Sequence, residues 1–399
     1  MVALEWLHKR LNKSLPDIHL SRLSSVMSGV AGLLLGQHLS LSGVGRHLPG
    51  DAREKHKIKR VDRLLGNHRL HAERHAFYRW LSHELLGETR HPNIIVDWSD
   101  IDTNKQLFLL RAAVSVGGRA LVLYEEVHAR YHHPDDTRRF LQRLAECLPA
   151  RCQPVIVTDA GFRSPWFKAV AELGWFYVGR VRHRDYVRYA ETDTWFPAKN
   201  LYQQATGRPK AIGAIWIPRS APMLTRAYVY RKTPKGRVRL TAKGQRKHNA
   251  QSLKHEQRER EPWLLISNLP PRQRIEKRVV AIYRDRMAIE ESFRDLKAYR
   301  HGFALRHNLG RHPQRIANLL LLAALACWVV WLTGTLGTYH GLDRGLQANT
   351  EKRRRVLSTF FIGLRLLKHH AMVNQSACRH ATQIIRQLIT QRTLEYDSI

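Results

Sequence analysis

Residues 283–297 read YRDRMAIEESFRDLK and set two glutamates among cations. At about 100° per residue, Tyr283, Arg286, Glu290 and Lys297 share a sector of roughly 60° of one helix. An apolar stripe of Ile282, Ile289, Phe293 and Leu296 lies beside that sector, and Glu291 points elsewhere. The stripe docks the helix, which leaves the polar sector at the edge of the contact. Two aspartates sit where apolar strands meet a turn: Asp97 in IIVD and Asp159 in VIVTDAG. Rigid strand ends aim side chains into space that the loops leave open. Asp97, Asp159 and Glu290 together suit a pair of Mg²⁺ ions, with Mn²⁺ as a substitute, because these ions prefer oxygen ligands and keep positions for water and phosphate. Such a pair, about 4 Å apart, activates the attacking oxygen and stabilises the leaving one in phosphodiester chemistry. Without metal the three carboxylates would repel and raise one another's pKa. Arg286 and Lys297, with Tyr283 alongside, then read as phosphate ligands that partly offset the carboxylate field. The plainer readings are that each Asp is a turn or N-cap residue and that the helix is a solvated ion-pair helix.

The elements that must position these residues follow from periodicity. Residues 1–90 read as short helices, with Lys55, Lys57, Lys59, Arg60 and Arg63 crowding one segment opposite Ile58, Val61, Leu64 and Leu65. This is expected to be a helical DNA-binding domain, its plainer reading being a solvated basic face. From His91 the pattern changes to strands: NIIVD, then KQLFLLRAAVSV and RALVLYEE as a hairpin across Gly117-Gly118, a dipeptide that supplies positive φ. A helix over Asp135–Cys147, the strand PVIVT, a helix over Pro165–Leu173 and the strand WFYVGRV complete a first core part, 91–181. Residues 182–262 read as a β-rich insertion (AIGAIWI, RAYVYRK, GRVRL) that ends in the basic stretch TAKGQRKHNAQSLKHEQRER. The strand WLLISNL resumes the core, 263–337, with one long helix expected over 272–300. Residues 338–399 read as a basic helical C-terminal region. The fold class is therefore α/β or α+β, with a mixed sheet.

Charge narrows the partner. The 399 residues carry 67 Lys and Arg against 33 Asp and Glu, a formal charge of +34 spread along the chain. Counterion release makes nucleic acid the leading partner, and an anionic membrane the competitor to exclude. Ile316–Gly337 is uncharged and long enough to span a bilayer. Asn318, Thr333, Gly334 and Thr335, with basic flanks, argue instead for a core helix, which is also apolar all round. The N-terminal MVALEWLHKRLNKSL lacks the h-region and cleavage site of a secretory signal, so a cytoplasmic, nucleoid-associated protein is expected. The four cysteines form no CxxC pairs and no HExxH occurs, which excludes the common zinc motifs.

Tyr283-x2-Arg286-x3-Glu290-x6-Lys297, after Asp97 and Asp159 on strands, resembles the YREK signature of bacterial insertion-sequence transposases of the DDE class. KRVDRLLGN, VDWSD, DAGF, EPWLLISNLP and ESFRDLK are similar to the same group over most of the chain, whereas 182–262 matches in placement more than in sequence. The resemblance implies a ribonuclease-H-like core with a β-rich insertion and Mg²⁺-dependent cut-and-paste transposition. In that scheme an end is nicked, the freed 3′-hydroxyl forms a hairpin, the hairpin is resolved, and the ends join target DNA. Hairpin formation needs a flipped base received by an aromatic surface. The resemblance implies Trp263 for that surface, and Met287 for the space the base vacates. The implied partners are double-stranded DNA, both inverted-repeat ends and target, and a second copy of the chain in the DNA complex. A two-metal nuclease without strand transfer and a non-enzymatic basic DNA-binding protein are the alternatives.

Overall fold

The computed structural model describes residues 1–102, 106–182, 185–233, 245, 249–250, 257, 260–348, 350–351, 353–368 and 374–398. Five helices come first: α1 (Val2–Ser14), α2 (Leu20–Gly36), α3 (Leu41–Arg46), α4 (Glu54–Leu65) and α5 (His68–Leu86). Strands β1 (Asn93–Asp100), β2 (Phe108–Val116) and β3 (Arg119–His128) follow, then α6 (Pro134–Cys147), β4 (Val155–Thr158), α7 (Ser164–Glu172) and β5 (Phe176–Val181). Next are β6 (Tyr186–Tyr189), β7 (Phe196–Pro197), β8 (Lys210–Ile217), β9 (Met223–Tyr230) and β10 (Trp263–Ser267). The remaining helices are α8 (Ile275–Arg284), α9 (Met287–Lys297), α10 (Pro313–Tyr339), α11 (Asp343–Leu346), α12 (Thr359–Lys368) and α13 (Gln375–Ser398). The mixed α/β class read from the periodicity is the class observed. Contacts divide the chain into two compact units, Met1–Cys152 with Met287–Thr393, and Gln153–Arg286 with Leu394–Ile399.

In the first unit β1, β2 and β3 form an antiparallel meander. The β2–β3 turn is the expected one, with Gly117 at φ 55° and Gly118 at φ 81°, values that only glycine adopts freely. Helix α9 packs across all three strands, while α10 is buried against α2, α5, α12 and β3. The apolar segment is thus a core helix of this unit. Its Asn318 Nδ2 donates to the carbonyls of Leu65 and Asn67 at 3.0 and 3.3 Å, a use for a polar group inside an apolar face. Helices α10 and α12 cross at Gly334 and Gly363, where an added Cβ would collide with the backbone of Thr359 and Val330.

The second unit is a seven-stranded mixed sheet in the order β4-β5-β10-β9-β8-β6-β7. β4 and β5 are parallel, joined through α7, and the other pairs described are antiparallel. Strands β6 to β9, within residues 182–262, therefore continue the sheet beyond β10. Helix α8 packs on β4, β5 and β10. GRVRL and most of the basic stretch that follows it lie outside the described residues.

Two expectations are corrected. The helix expected over 272–300 is two helices, α8 and α9, separated at Asp285-Arg286. Asp285 and Arg286 donate backbone N–H to Ile282 and Tyr283 three residues back, at 3.2 Å each, so the ladder tightens and stops. Tyr283 and Glu290 thus lie on different helices, and a single projection does not relate them. Asp97 is not at a strand end: β1 continues to Asp100 because Trp98, Ser99 and Asp100 find partners in Leu110, Leu109 and Phe108.

Candidate active site

In the first unit Asp97 stands in the interior of β1, half-buried, its Oδ1 accepting the Trp98 N–H at 2.9 Å. Across the ladder it faces Arg111 of β2, and Arg111 faces Glu125 of β3. Arg111 and Glu125 form a buried ion pair at 2.7 Å, and the Tyr78 hydroxyl also donates to Glu125, at 3.0 Å. The Arg111 guanidinium lies 5.0 Å from the Phe293 ring centroid, so this row of side chains lies under α9. Period-two alternation puts Ser99 on the same face as Asp97. Lys297, from the last turn of α9, donates to Ser99 Oγ at 2.7 Å. Burial pulls the Lys297 pKa down, and the charges of Asp100 and Asp97 work against that pull.

Glu290 lies in the first turn of α9 and is exposed, and Met287, the first residue of that helix, is 45% exposed. Glu291 pairs with Arg119 at 3.3 Å and Arg294 at 2.6 Å. Asp295, buried on the same helix, pairs with Arg119 at 2.8 Å.

In the second unit Asp159 directly follows β4. Its Oδ1 accepts the Gly161 N–H at 2.7 Å, so it shapes the turn as well as carrying a charge. Tyr283, at the end of α8, is buried with Arg286, Arg180 and Asp159 around its hydroxyl. Burial pushes that hydroxyl pKa up although Arg286 and Arg180 oppose it, so the phenol stays protonated and available as a donor. The Trp263 ring meets Tyr283 edge-on at 4.9 Å and Tyr230 at 5.7 Å, with Lys232 Nζ 5.7 Å from its centroid. Asp159, Trp263, Tyr283 and Arg286 are thereby gathered in one unit.

Residues not singled out from the sequence complete this cluster. Arg180 of β5 is half-buried, donates to Glu261 at 3.2 Å and contacts Tyr283; Arg284 donates to the Tyr230 hydroxyl at 2.7 Å. A lone arginine inside the apolar run FYVGRV was the available signal, because a cation in a buried strand needs a fixed partner. Beside them lies a cavity of about 450 Å³ lined by Phe162, Arg163, Phe167, Arg180, Arg182 and Glu261 among others.

On α4, Lys55, Lys59, Arg60 and Arg63 are exposed and Lys57 is half-buried, while Val61, Leu64 and Leu65 are buried. None of the five cations pairs with a described carboxylate. Among the described residues no three His, Cys, Asp or Glu side chains are gathered closely enough to hold a metal ion. Asp97 and Glu290 belong to one unit and Asp159 to the other. The donors themselves are all carboxylate oxygens, the set that Mg²⁺ and Mn²⁺ take.

A transposase DDE domain model matches residues 88–329, from just before β1 to within α10. No curated protein matches the chain. The mixed α/β architecture, with helices before and after the sheet-bearing segments, agrees with a ribonuclease-H-like transposase, an enzyme that acts on DNA. By a match that covers well over half of its length, the chain belongs to the transposase DDE domain family.

Proposed function

We propose that this protein is a cut-and-paste DNA transposase of the YREK group, akin to the transposase of the insertion sequence that flanks a tetracycline-resistance composite transposon. The observation that supports this most is the gathering of Asp159, Tyr283, Arg286 and Trp263 around one buried phenol. A carboxylate, two phosphate ligands and an indole are the chemistry that a distorted DNA end requires. Asp97, Asp159 and Glu290 would hold Mg²⁺ or Mn²⁺. When bound, the ions supply activation of the attacking oxygen and charge relief on the leaving oxygen. Lys297, fixed by Ser99 beside Asp97, holds a phosphate next to the carboxylates, and the protonated Tyr283 with Arg286 holds another. Trp263 offers a ring face to an extrahelical base, and Met287 fills the gap that the base leaves. Residues 1–90 bind the ends through Lys55, Lys57, Lys59, Arg60 and Arg63. Residues 91–181 and 263–337 make the catalytic core around the 182–262 insertion, and 338–399 form a helical C-terminal region. The active complex pairs two chains on two ends, on nucleoid DNA in the cytoplasm.

The test is Mg²⁺-dependent cleavage of duplexes that carry the inverted repeats flanking the coding sequence. Asp97→Asn, Asp159→Asn and Glu290→Gln are each expected to lower cleavage by about a thousandfold or more, with duplex binding retained. Parental rates in these variants would reject the assigned triad. Joining of precleaved ends to a target plasmid separates transposition from nuclease action alone.

A further inference from the structure

A second concave site lies in the first unit, between the α2–α3 turn and the segment 305–316. It is a cleft of about 420 Å³ whose polar lining is His38, Ser40, Ser42, His307, Asn308 and Arg315, over an apolar floor that includes Leu65 and Ile316. Among the described residues no carboxylate lines it. Arg315 of the lining pairs with Asp62 on α4.

Both walls are held in place. The Leu39 N–H donates to the Phe303 carbonyl at 2.7 Å, which ties the turn to the segment before His307. Ser40 Oγ accepts the Gly43 N–H at 3.1 Å and lies 2.9 Å from His38 Nδ1. Gly43 must lack a side chain for this, since a Cβ there would come within 2.6 Å of His38 Nδ1. His38 and His307 meet edge-on at 5.6 Å, and Tyr299 lies 5.1 Å from His307.

The electrostatics are those of a site suited to an anion. Burial lowers the His38 pKa, and the positive charges of His307, His47 and Arg46 lower it further. The charged and titratable groups around His38 are thus His307, His47 and Arg46; Tyr299 packs on His307, and Arg315 of the lining pairs with Asp62 outside it. Between Lys297 and Asp343 the sequence holds no carboxylate, yet it carries Arg300, His301, Arg306, Arg311, His312 and Arg315. At the lip Leu309 is 91% exposed. Arg306, one residue before His307, adds a positive charge that acts on Lys297 of α9. Its floor residue Leu65 ends α4, the helix with the exposed basic face.

We propose that this cleft takes one phosphate-bearing nucleotide of bound duplex DNA, held by His307 and Arg315, and that His38, edge-on to His307, takes up a proton when the phosphate enters. This rests on the DNA-acting reading given above and adds an interaction that the YREK residues do not include. A phosphate between the imidazoles reverses the local field, so the pKa that the neighbouring cations hold down rises on binding. Binding is then strongest at low pH and weakens as pH rises through the bound-state value.

The test is fluorescence anisotropy of a labelled end duplex, at fixed ionic strength, from about pH 6 to about pH 8.5. The proteins are the parent, His307→Ala and His38→Asn, each with its melting curve. His307 is exposed, so its variant isolates the interaction from folding. The parent is expected to bind more tightly as pH falls. His38→Asn should lose about fivefold at the acidic end and under about twofold at the basic end, which flattens the profile, and His307→Ala should weaken binding by about fivefold. If His307→Ala keeps the parental affinity or His38→Asn keeps the parental pH slope, this inference is wrong and the proposed function stands. If the parent binds no duplex at any pH, the DNA-acting reading itself falls.

Discussion

Lys297 is the residue at which the first unit's chemistry is most exposed to test. Its ammonium is held by Ser99 at 2.7 Å, feels Asp97 and Asp100, and lies 5.8 Å from the Phe293 ring centroid. Lys297→Met keeps the aliphatic stem over Phe293 and removes the charge together with its hydrogen bond to Ser99. We expect end cleavage to fall about a hundredfold while duplex affinity changes by less than about threefold, because a fixed cation matters most where charge develops. Cleavage by the Met variant at the parental rate would mean that Lys297 only anchors α9. The place of Lys297 in the last turn of its helix was legible from the fifteen-residue stretch, but its partner Ser99 was not. Nothing in VDWSD indicates that β1 runs past Asp97, since that extension depends on pairing with β2, a separate strand. Arg180 was hidden for a related reason: an arginine in a strand shows its purpose only once Glu261 and Tyr283 are brought beside it.

Among the elements, β3 and α9 carry buried carboxylates whose effects on stability have opposite signs. Burial works to raise the Glu126 pKa, but hydrogen bonds from His128 and Tyr124 and the charges of His128 and Arg143 hold it at about 2, against an ordinary 4.5. A depressed folded-state value adds stability above about pH 4.5 that is lost as pH falls toward 2, worth about 3 kcal/mol in all. Asp295 is the reverse. Burial lifts it to about 6 from 3.8 despite the Arg119 ion pair, so its contribution is complete below about 3.8 and lost as pH rises through 6. Urea unfolding across pH is the measurement. Glu126→Gln should lose most relative to the parent at neutral pH and converge with it in acid, whereas Asp295→Asn should gain relative to the parent between about pH 4 and pH 6. Parallel curves for either variant would contradict these charge environments. The elements themselves were unequally legible. The Gly117-Gly118 hairpin was readable because positive φ writes itself as glycine. The α8–α9 break was not, because Asp285 keeps helical angles, φ −69° and ψ −16°, with neither glycine nor proline to mark the end. The break coincides with the boundary between the two units, a tertiary cause that helical periodicity does not encode.

At the scale of the whole molecule, the question is whether a charge of +34 acts as a diffuse field or through particular surfaces. Many cations are neutralised internally: Arg22 by Glu73, Arg111 by Glu125, Arg119 by Asp295 and Glu291. The exposed cations of α4 have no described carboxylate against them, which makes that helix the surface where counterion release should concentrate. Replacing Lys55, Lys59, Arg60 and Arg63 together by Gln lowers the formal charge only from 34 to 30 (34 − 4). If the field acted as a whole, so small a change would leave duplex binding nearly intact, since exposed charges beyond about 10 Å are screened in ordinary salt. If the four touch phosphates, the slope of log affinity against log salt should become shallower by about 3 to 4, close to 0.9 for each phosphate no longer neutralised. Thermal stability should change little, because the replaced groups are exposed and anchor no described ion pair. Titrating labelled duplex at several salt concentrations separates the two. An unchanged slope would move the DNA-binding surface elsewhere, whereas the expected decrease would fix α4 as the helix that carries the first unit's grip on DNA.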